Sequence, residues 1–240
     1  MTRPRRRAAP LLAVGSAVGL LATGCGAAVV PAAAGTDGAA AGAGPPVRVV
    51  VVGDSITEMG SPDFDDGDYD ASSWAWWATG GGVDVLGGWA HSGATTGDAL
   101  AAVGPVQADV LVLMAGNNDV DLGVPTSTVL ANLVRIADVV GVPRVLLSAV
   151  APEDGLGPHL AALDDALAGL AREEGWQFVD PMTAVRDGDG GWRDGTTPDG
   201  VHPTEAAAAR IGAALHEAVL HPDDPAGTTP AAVVPPGHTG

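Results

Sequence analysis

Short apolar runs and helical patterns alternate along the middle of this chain. Val47–Val52, β-branched throughout except for Arg48, ends at Gly53-Asp54-Ser55, and a run this short, closed by a turn signal, predicts a strand buried on both faces. Asp109–Met114, ending at Gly116-Asn117-Asn118-Asp119, and Arg144–Ala149 predict two more. Val83–Trp89, interrupted by Gly87 and Gly88, and the short Gln177–Val179 complete the strands. Between them, Thr126–Val140 has apolar residues at helical spacing, with Thr126 as its candidate N-cap. His159–Glu174 carries Leu160, Leu163, Leu167 and Leu170 along one face, and the alanine-rich Thr204–Leu220 follows Pro203, a residue type that often opens helices. Strands alternating with helices predict an α/β fold, a parallel sheet covered on both faces.

The two ends of the chain read differently. Arg3, Arg5, Arg6 and Arg7 precede the apolar run Leu11–Leu21 and then small residues up to Cys25, the layout of an export signal. The run is too short and too glycine-rich for a membrane span of about 20 apolar residues. Ala22-Thr23-Gly24-Cys25 resembles the lipobox of bacterial lipoproteins, with Ala22 where that motif usually carries a larger aliphatic. The resemblance implies cleavage and lipidation of Cys25; ordinary secretion with cleavage nearby is the alternative. Cys25 is the sole cysteine, so no intramolecular disulfide forms. Residues 26–46 have a flexible-linker composition, residues 222–240 that of a disordered tail, and the folded domain is expected over 47–221, without internal repeats.

With 46% apolar residues among 240, the chain has enough for one real core. Its formal charge of -18 and complete lack of lysine speak against a nucleic-acid partner, since phosphate binding needs basic clusters. The missing lysine also excludes a Walker-type phosphate loop. The acidity itself is read as solubility outside the cell.

Candidate chemistry lies where ligands bind in open α/β sheets, beyond the carboxyl ends of the strands. Gly53-Asp54-Ser55, His91-Ser92-Gly93 and Gly116-Asn117-Asn118-Asp119 follow strands, and Asp199-Gly200-Val201-His202-Pro203 precedes the last helix. Serine hydrolysis requires a hydroxyl, a base, an orienting carboxylate and donors for an oxyanion. Ser55 supplies the hydroxyl from a turn that Gly53 allows to bend. His202 supplies the base, and Asp199, three residues earlier, is placed to reach its Nδ1. The backbone N–H groups of Ser55 and Gly93 and the Asn118 amide are the candidate oxyanion donors.

Each of these residues also has a plainer reading. Ser55 alone is equally suited to cap a helix, His202 to sit at a helix start on the surface, and Asn118 to form a turn. Asp119 is assigned to structure. His91 either lines the site beside Gly93 or supports it from an exposed position. Trp192, in a glycine-rich loop, is the candidate for touching substrate; of Trp74, Trp76 and Trp77, at least one belongs to the core and the others to an acyl- or sugar-binding wall. His159, His216, His221 and His238 share no spacing that makes a metal site, and neither metal nor cofactor is expected.

The four polar segments, in this order, resemble the SGNH/GDSL hydrolase family, and the likeness spans most of residues 47–221. It implies a three-layer α/β/α flavodoxin-like fold with a central parallel sheet, a Ser55–His202 pair assisted by Asp199, and an oxyanion hole built from Ser55, Gly93 and Asn118. The expected activity is hydrolysis of a small-molecule or carbohydrate ester, with membrane contact only through a lipid on Cys25. Family members usually show an acidic-glycine stretch soon after the nucleophile; here Glu58-Met59-Gly60 opens an acidic loop, Asp63–Asp70, expected to be solvent-exposed filler near the site mouth. A calcium site there is the lesser reading, because the spacing is not that of an EF-hand.

Two other functions fit parts of the pattern. A metal-dependent phosphoesterase is suggested by Gly116-Asn117-Asn118-Asp119, although asparagine stands where such motifs carry histidine and no Asp-x-His segment precedes it. A non-catalytic surface lipoprotein using the same cleft to bind a glycan or cell-wall fragment is compatible with the fold.

Overall fold

A strand sends alternate side chains to opposite faces, and β1 (Val47–Gly53), apolar from Val49 onward, shows the consequence. In this computed structural model, which describes residues 44–222, Val49 and Val51 enter one core and Val50 and Val52 the other. Beside β1 lie β2 (Val83–Ala90) and β3 (Val110–Met114), followed outward by β4 (Val145–Ser148) and β5 (Gln177–Val179). All neighbours are parallel, in the order β2-β1-β3-β4-β5. The helices among the described residues are α1 (Ser55–Glu58), α2 (Trp74–Ala78), α3 (Thr96–Ala102), α4 (Asn117–Asp121), α5 (Thr126–Val140) and α6 (Gly157–Glu174), with α7 (Glu205–Leu220) after β5.

The helices divide between the two faces. Trp74 and Ala78 of α2 and Ile211 and Leu215 of α7 pack on Val49, Val51, Val112 and Met114. On the other face, Ala99 of α3, Leu133 and Ile136 of α5, and Leu163 and Leu167 of α6 cover Val50, Val52, Leu111, Leu113 and Leu147. The result is a three-layer α/β/α sandwich of the expected class. Each strand falls within a residue or two of its expected span.

The glycines that interrupt the β2 pattern have a structural purpose. The β1–β2 register shifts between Val49 and Val51, and Gly87 and Gly88 sit at that irregularity with φ of 103° and 144°. A Cβ at Gly88 would strike the Val51 carbonyl, so only glycine lets the bulged strand lie this close. Three helix starts differ from expectation, the first being α6, which begins at Gly157 and not His159. Pro125 occupies the α5 cap position, and Thr126 is already helical with no side-chain cap present. Thr204 caps α7 through the Ala207 amide, so Pro203 lies before the cap.

The expected leader, Cys25, the linker up to residue 43 and the tail beyond Pro222 lie outside the described residues. Among the described residues, no helix is long and apolar enough to cross a membrane.

Candidate active site

The chain leaves β1 toward β2 and leaves β3 toward β4, so the sheet order reverses between these adjacent central strands. Such a switch point opens a crevice beyond the strand carboxyl ends. Ser55 follows β1 there, Asn117 and Asn118 follow β3, and the Ser92-Gly93 turn follows β2.

Asp54, and not Ser55, caps the helix at the end of β1. Its carboxylate accepts the Ile56 amide at 3.0 Å, which makes Ser55 the first residue of α1. A first-turn amide has no acceptor within its own helix, and the Ser55 N–H is such an amide. Gly53 is required for space and not for an unusual bend: a Cβ there would collide with the Thr57 side chain.

The loop before α7 brings the imidazole to the serine. His202 Nε2 lies 3.1 Å from Ser55 Oγ, and His202 Nδ1 lies 2.8 Å from Asp199 Oδ2. The other Asp199 oxygen accepts the amides of His202 at 2.8 Å and Val201 at 3.0 Å. The His202 amide, then its ring, then the Val201 amide hold the Asp199 carboxyl well below the usual carboxylate range. An ionised carboxylate only accepts, so Nδ1 carries the proton and Nε2 accepts the Ser55 hydroxyl. Asp154 steadies this loop from the end of β4: its amide donates to Gly200 O at 2.8 Å and its carboxylate accepts the Trp192 amide at 3.3 Å.

The three expected oxyanion donors are tied together. Gly93 is exposed with φ 76°, and its N–H donates to no backbone acceptor among the described residues. Asn118 Nδ2 donates to Ala94 O at 2.9 Å, which places that amide beside the Gly93 turn and leaves its second hydrogen unused by this bond. Glu58, the last residue of α1, accepts both the amide and the hydroxyl of Ser92.

Residues 51–210 match the model of the GDSL-like lipase/acylhydrolase family. The chain belongs to this family. No curated protein matches it significantly. Several solved structures share the fold of this GDSL-like chain. An acetylxylan esterase from Geobacillus stearothermophilus, solved as a catalytic mutant, has a TM-score of 0.59 at 19% identity, covering 74% of this chain and 95% of its own. A GDSL-like lipase from Bacteroides thetaiotaomicron scores 0.57 at 21% identity, with coverage of 76% and 94%. A carbohydrate acetylesterase family member from Sinorhizobium meliloti scores 0.54 at 19% identity, with coverage of 72% and 97%.

Other residues of the GDSL-like domain take positions that spacing alone did not show. Asp54 is only 1% exposed, and its Oδ2 has no hydrogen-bond partner. Burial pushes its carboxyl up to about 7, against the Ile56 amide and the His202 charge and with Asp119 adding to the rise. Asp119 is fully buried and accepts the amide and hydroxyl of Thr96 at 2.8 and 2.7 Å. Asn117 donates to Ala151 O at 2.9 Å. No sequence signal marked the depth of Asp54, because it follows from helices packing over β1 from distant parts of the chain.

Trp192 departs from its expected role. It is 5% exposed and packed in the core with Met182, Val185 and Ile211, so its ring offers no open face to a substrate. His91 is exposed, edge-on to Trp89, with Nε2 3.3 Å from Asp65 and Nδ1 3.9 Å from Glu58. Trp74 is core, donating to Thr57 Oγ1 at 3.0 Å, while Trp77 is half-buried and donates to Ala71 O. The acidic loop is only partly solvent-exposed: Phe64 is buried, and the Tyr69 hydroxyl donates to Val85 O. No group of three His, Cys, Asp or Glu side chains among the described residues could hold a metal ion.

A cavity of about 270 Å³ opens between α6 and the ends of β4 and β5, lined by Leu160, Asp164, Phe178 and Arg186 among others. It contains none of Ser55, Asp199 or His202. Concavity and chemistry therefore point to different places: the hydroxyl of Ser55, the imidazole of His202 and the carboxylate of Asp199 join in the crevice at the switch point.

Proposed function

We propose that this GDSL-like hydrolase is an exported serine esterase that cleaves small esters through a Ser55 acyl-enzyme. The observation that carries the reading is the continuous Ser55–His202–Asp199 hydrogen-bonded chain. His202 Nε2 takes the hydroxyl proton as Ser55 Oγ bonds to the ester carbonyl carbon. The carbonyl oxygen, now negative, is met by the Ser55 and Gly93 amides and the Asn118 side chain. Asp199, ionised and facing Nδ1, stabilises the imidazolium. Collapse of the tetrahedral species expels the alcohol with the proton from Nε2, and water repeats the sequence to release the acid.

The expected substrates are short acyl or acetyl esters, carbohydrate esters included. The half-buried Ser55 and the His202 side chain at 31% exposure leave the site open. The fold shared with an acetylxylan esterase and a carbohydrate acetylesterase family member fits that class. Export, with lipidation of Cys25, rests on the basic start, apolar run and lipobox-like Ala22–Cys25; palmitate labelling that persists in Cys25→Ala would contradict the anchor. The central test is Ser55→Ala, which should abolish hydrolysis of p-nitrophenyl acetate while the far-UV circular dichroism stays unchanged. Undiminished hydrolysis in that variant ends the esterase reading.

A further inference from the structure

We infer that Glu58 is a positioning residue for the oxyanion hole, clamping the Ser92-Gly93 turn to the helix that begins with Ser55. The inference rests on the esterase reading above. Ser55 opens α1 and Glu58 closes it, so the carboxylate and the nucleophile are carried by a single helical turn. One oxygen, Glu58 Oε2, accepts both the Ser92 amide at 2.7 Å and the Ser92 hydroxyl at 2.6 Å. Hydrogen bonds to an ionised acceptor are shorter and stronger than neutral ones.

Packing does not set the position of Gly93. Nothing lies within 4 Å of where its Cβ would be, and Ser92 and Gly93 are both exposed. The turn is held by hydrogen bonds on either side. Ala94 donates to His91 O at 3.1 Å and accepts from Asn118, on the β3 side. Ser92 is held by Glu58, on the β1 side. The Gly93 amide lies between these anchors, so its distance to a developing oxyanion depends on both. His91, between Asp65 and the second oxygen of Glu58, flanks the clamp on its outer side. A donor that drifts by about 1 Å costs on the order of 100-fold in rate, and complete loss of one donor about 100- to 1000-fold.

The test combines kinetics on p-nitrophenyl acetate with hydrogen exchange at the Ser92 amide. Glu58→Ala should lower kcat about 10- to 100-fold with KM within about twofold, because the oxyanion forms only in the transition state. Glu58→Gln still presents one oxygen to both Ser92 donors and should return kcat to within about fivefold of wild type. Ser92 amide exchange should speed at least about tenfold in Glu58→Ala and stay close to wild type in Glu58→Gln. Glu58→Asp keeps the charge and shortens the reach, and it should reproduce the kcat loss if Glu58→Ala does not fold. An unchanged kcat in Glu58→Ala or Glu58→Asp overturns the inference, as does a loss that Glu58→Gln shares in full. A wild-type protein without turnover would instead overturn the esterase reading, while amide exchange would still report on the clamp.

Discussion

Replacing Asp54 with asparagine tests how the buried carboxyl beneath the nucleophile is charged. One Asp54 oxygen accepts the Ile56 amide, and the other lies buried without a partner. Burial raises the carboxyl from 3.8 to about 7. The unfolded chain therefore ionises first as pH rises, the folded state binds the extra proton through this window, and stability falls. At 1.36 kcal/mol per unit over about 3.2 units, the penalty is about 4 kcal/mol, absent below pH 3.8 and complete above about pH 7. Asparagine keeps the acceptor for Ile56 and cannot ionise. Its amide needs a partner of its own, a cost of about 1–3 kcal/mol that does not vary with pH. The measured quantity is therefore the difference between the urea unfolding free energies of the two proteins across about pH 4 to 8. Asp54→Asn should gain about 4 kcal/mol on wild type over that range, or about 8–16 °C in Tm for a folded unit of this size. Asp164, pushed up to about 6 mainly by burial, titrates in the same window but does so in both proteins, and it cancels in the difference. Parallel stability curves would refute the reasoning, since they would mean that Asp54 carries the same charge in the folded and unfolded chains.

The remaining predictions concern the site and the core. Asp199→Asn should reduce kcat for p-nitrophenyl acetate about 100- to 1000-fold, less than the roughly 10⁴-fold of a fully buried triad carboxylate, because the Asp199 side chain is 50% exposed. A loss below about fivefold would show that the carboxylate neither orients nor stabilises the ring. Asn118→Ala should lower kcat about 100-fold with little change in KM; a rise in KM alone would make Asn118 a ground-state binding group. Trp192→Ala should cost about 3–5 kcal/mol in urea unfolding, the range for a truncated core aromatic, and leave the ranking of ester substrates unchanged. A changed ranking at near-normal stability would restore Trp192 to the substrate-binding surface.

Much of the architecture was legible in the pattern of residues. Val49–Val52 and Val110–Met114 are apolar without interruption, and such runs are stable only as central strands covered on both faces. Polar segments at strand carboxyl ends lie at the sheet's switch point, which made Ser55, the Gly93 turn and Asn118 legible as neighbours, while the Asp199–His202 loop, which precedes α7, was legible through the order of the family's motifs. Gly53 shows where local reasoning missed: a bend was expected, and the actual constraint is a collision with Thr57. Trp192 was judged by its glycine-rich neighbours, which describe the loop's backbone and not the side on which its ring is covered.

The sequence by itself determined the layers, the strands and which segments could meet, because alternation and helical spacing are local properties. Only the tertiary structure decided how deep each group lies and what it touches. Asp54 is buried and Trp192 joins the core because side chains tens of residues away close over them, and Glu58 grips Ser92 because the fold brings the ends of α1 and β2 together. Desolvation and hydrogen-bond geometry depend on that three-dimensional surround, which no window along the chain contains.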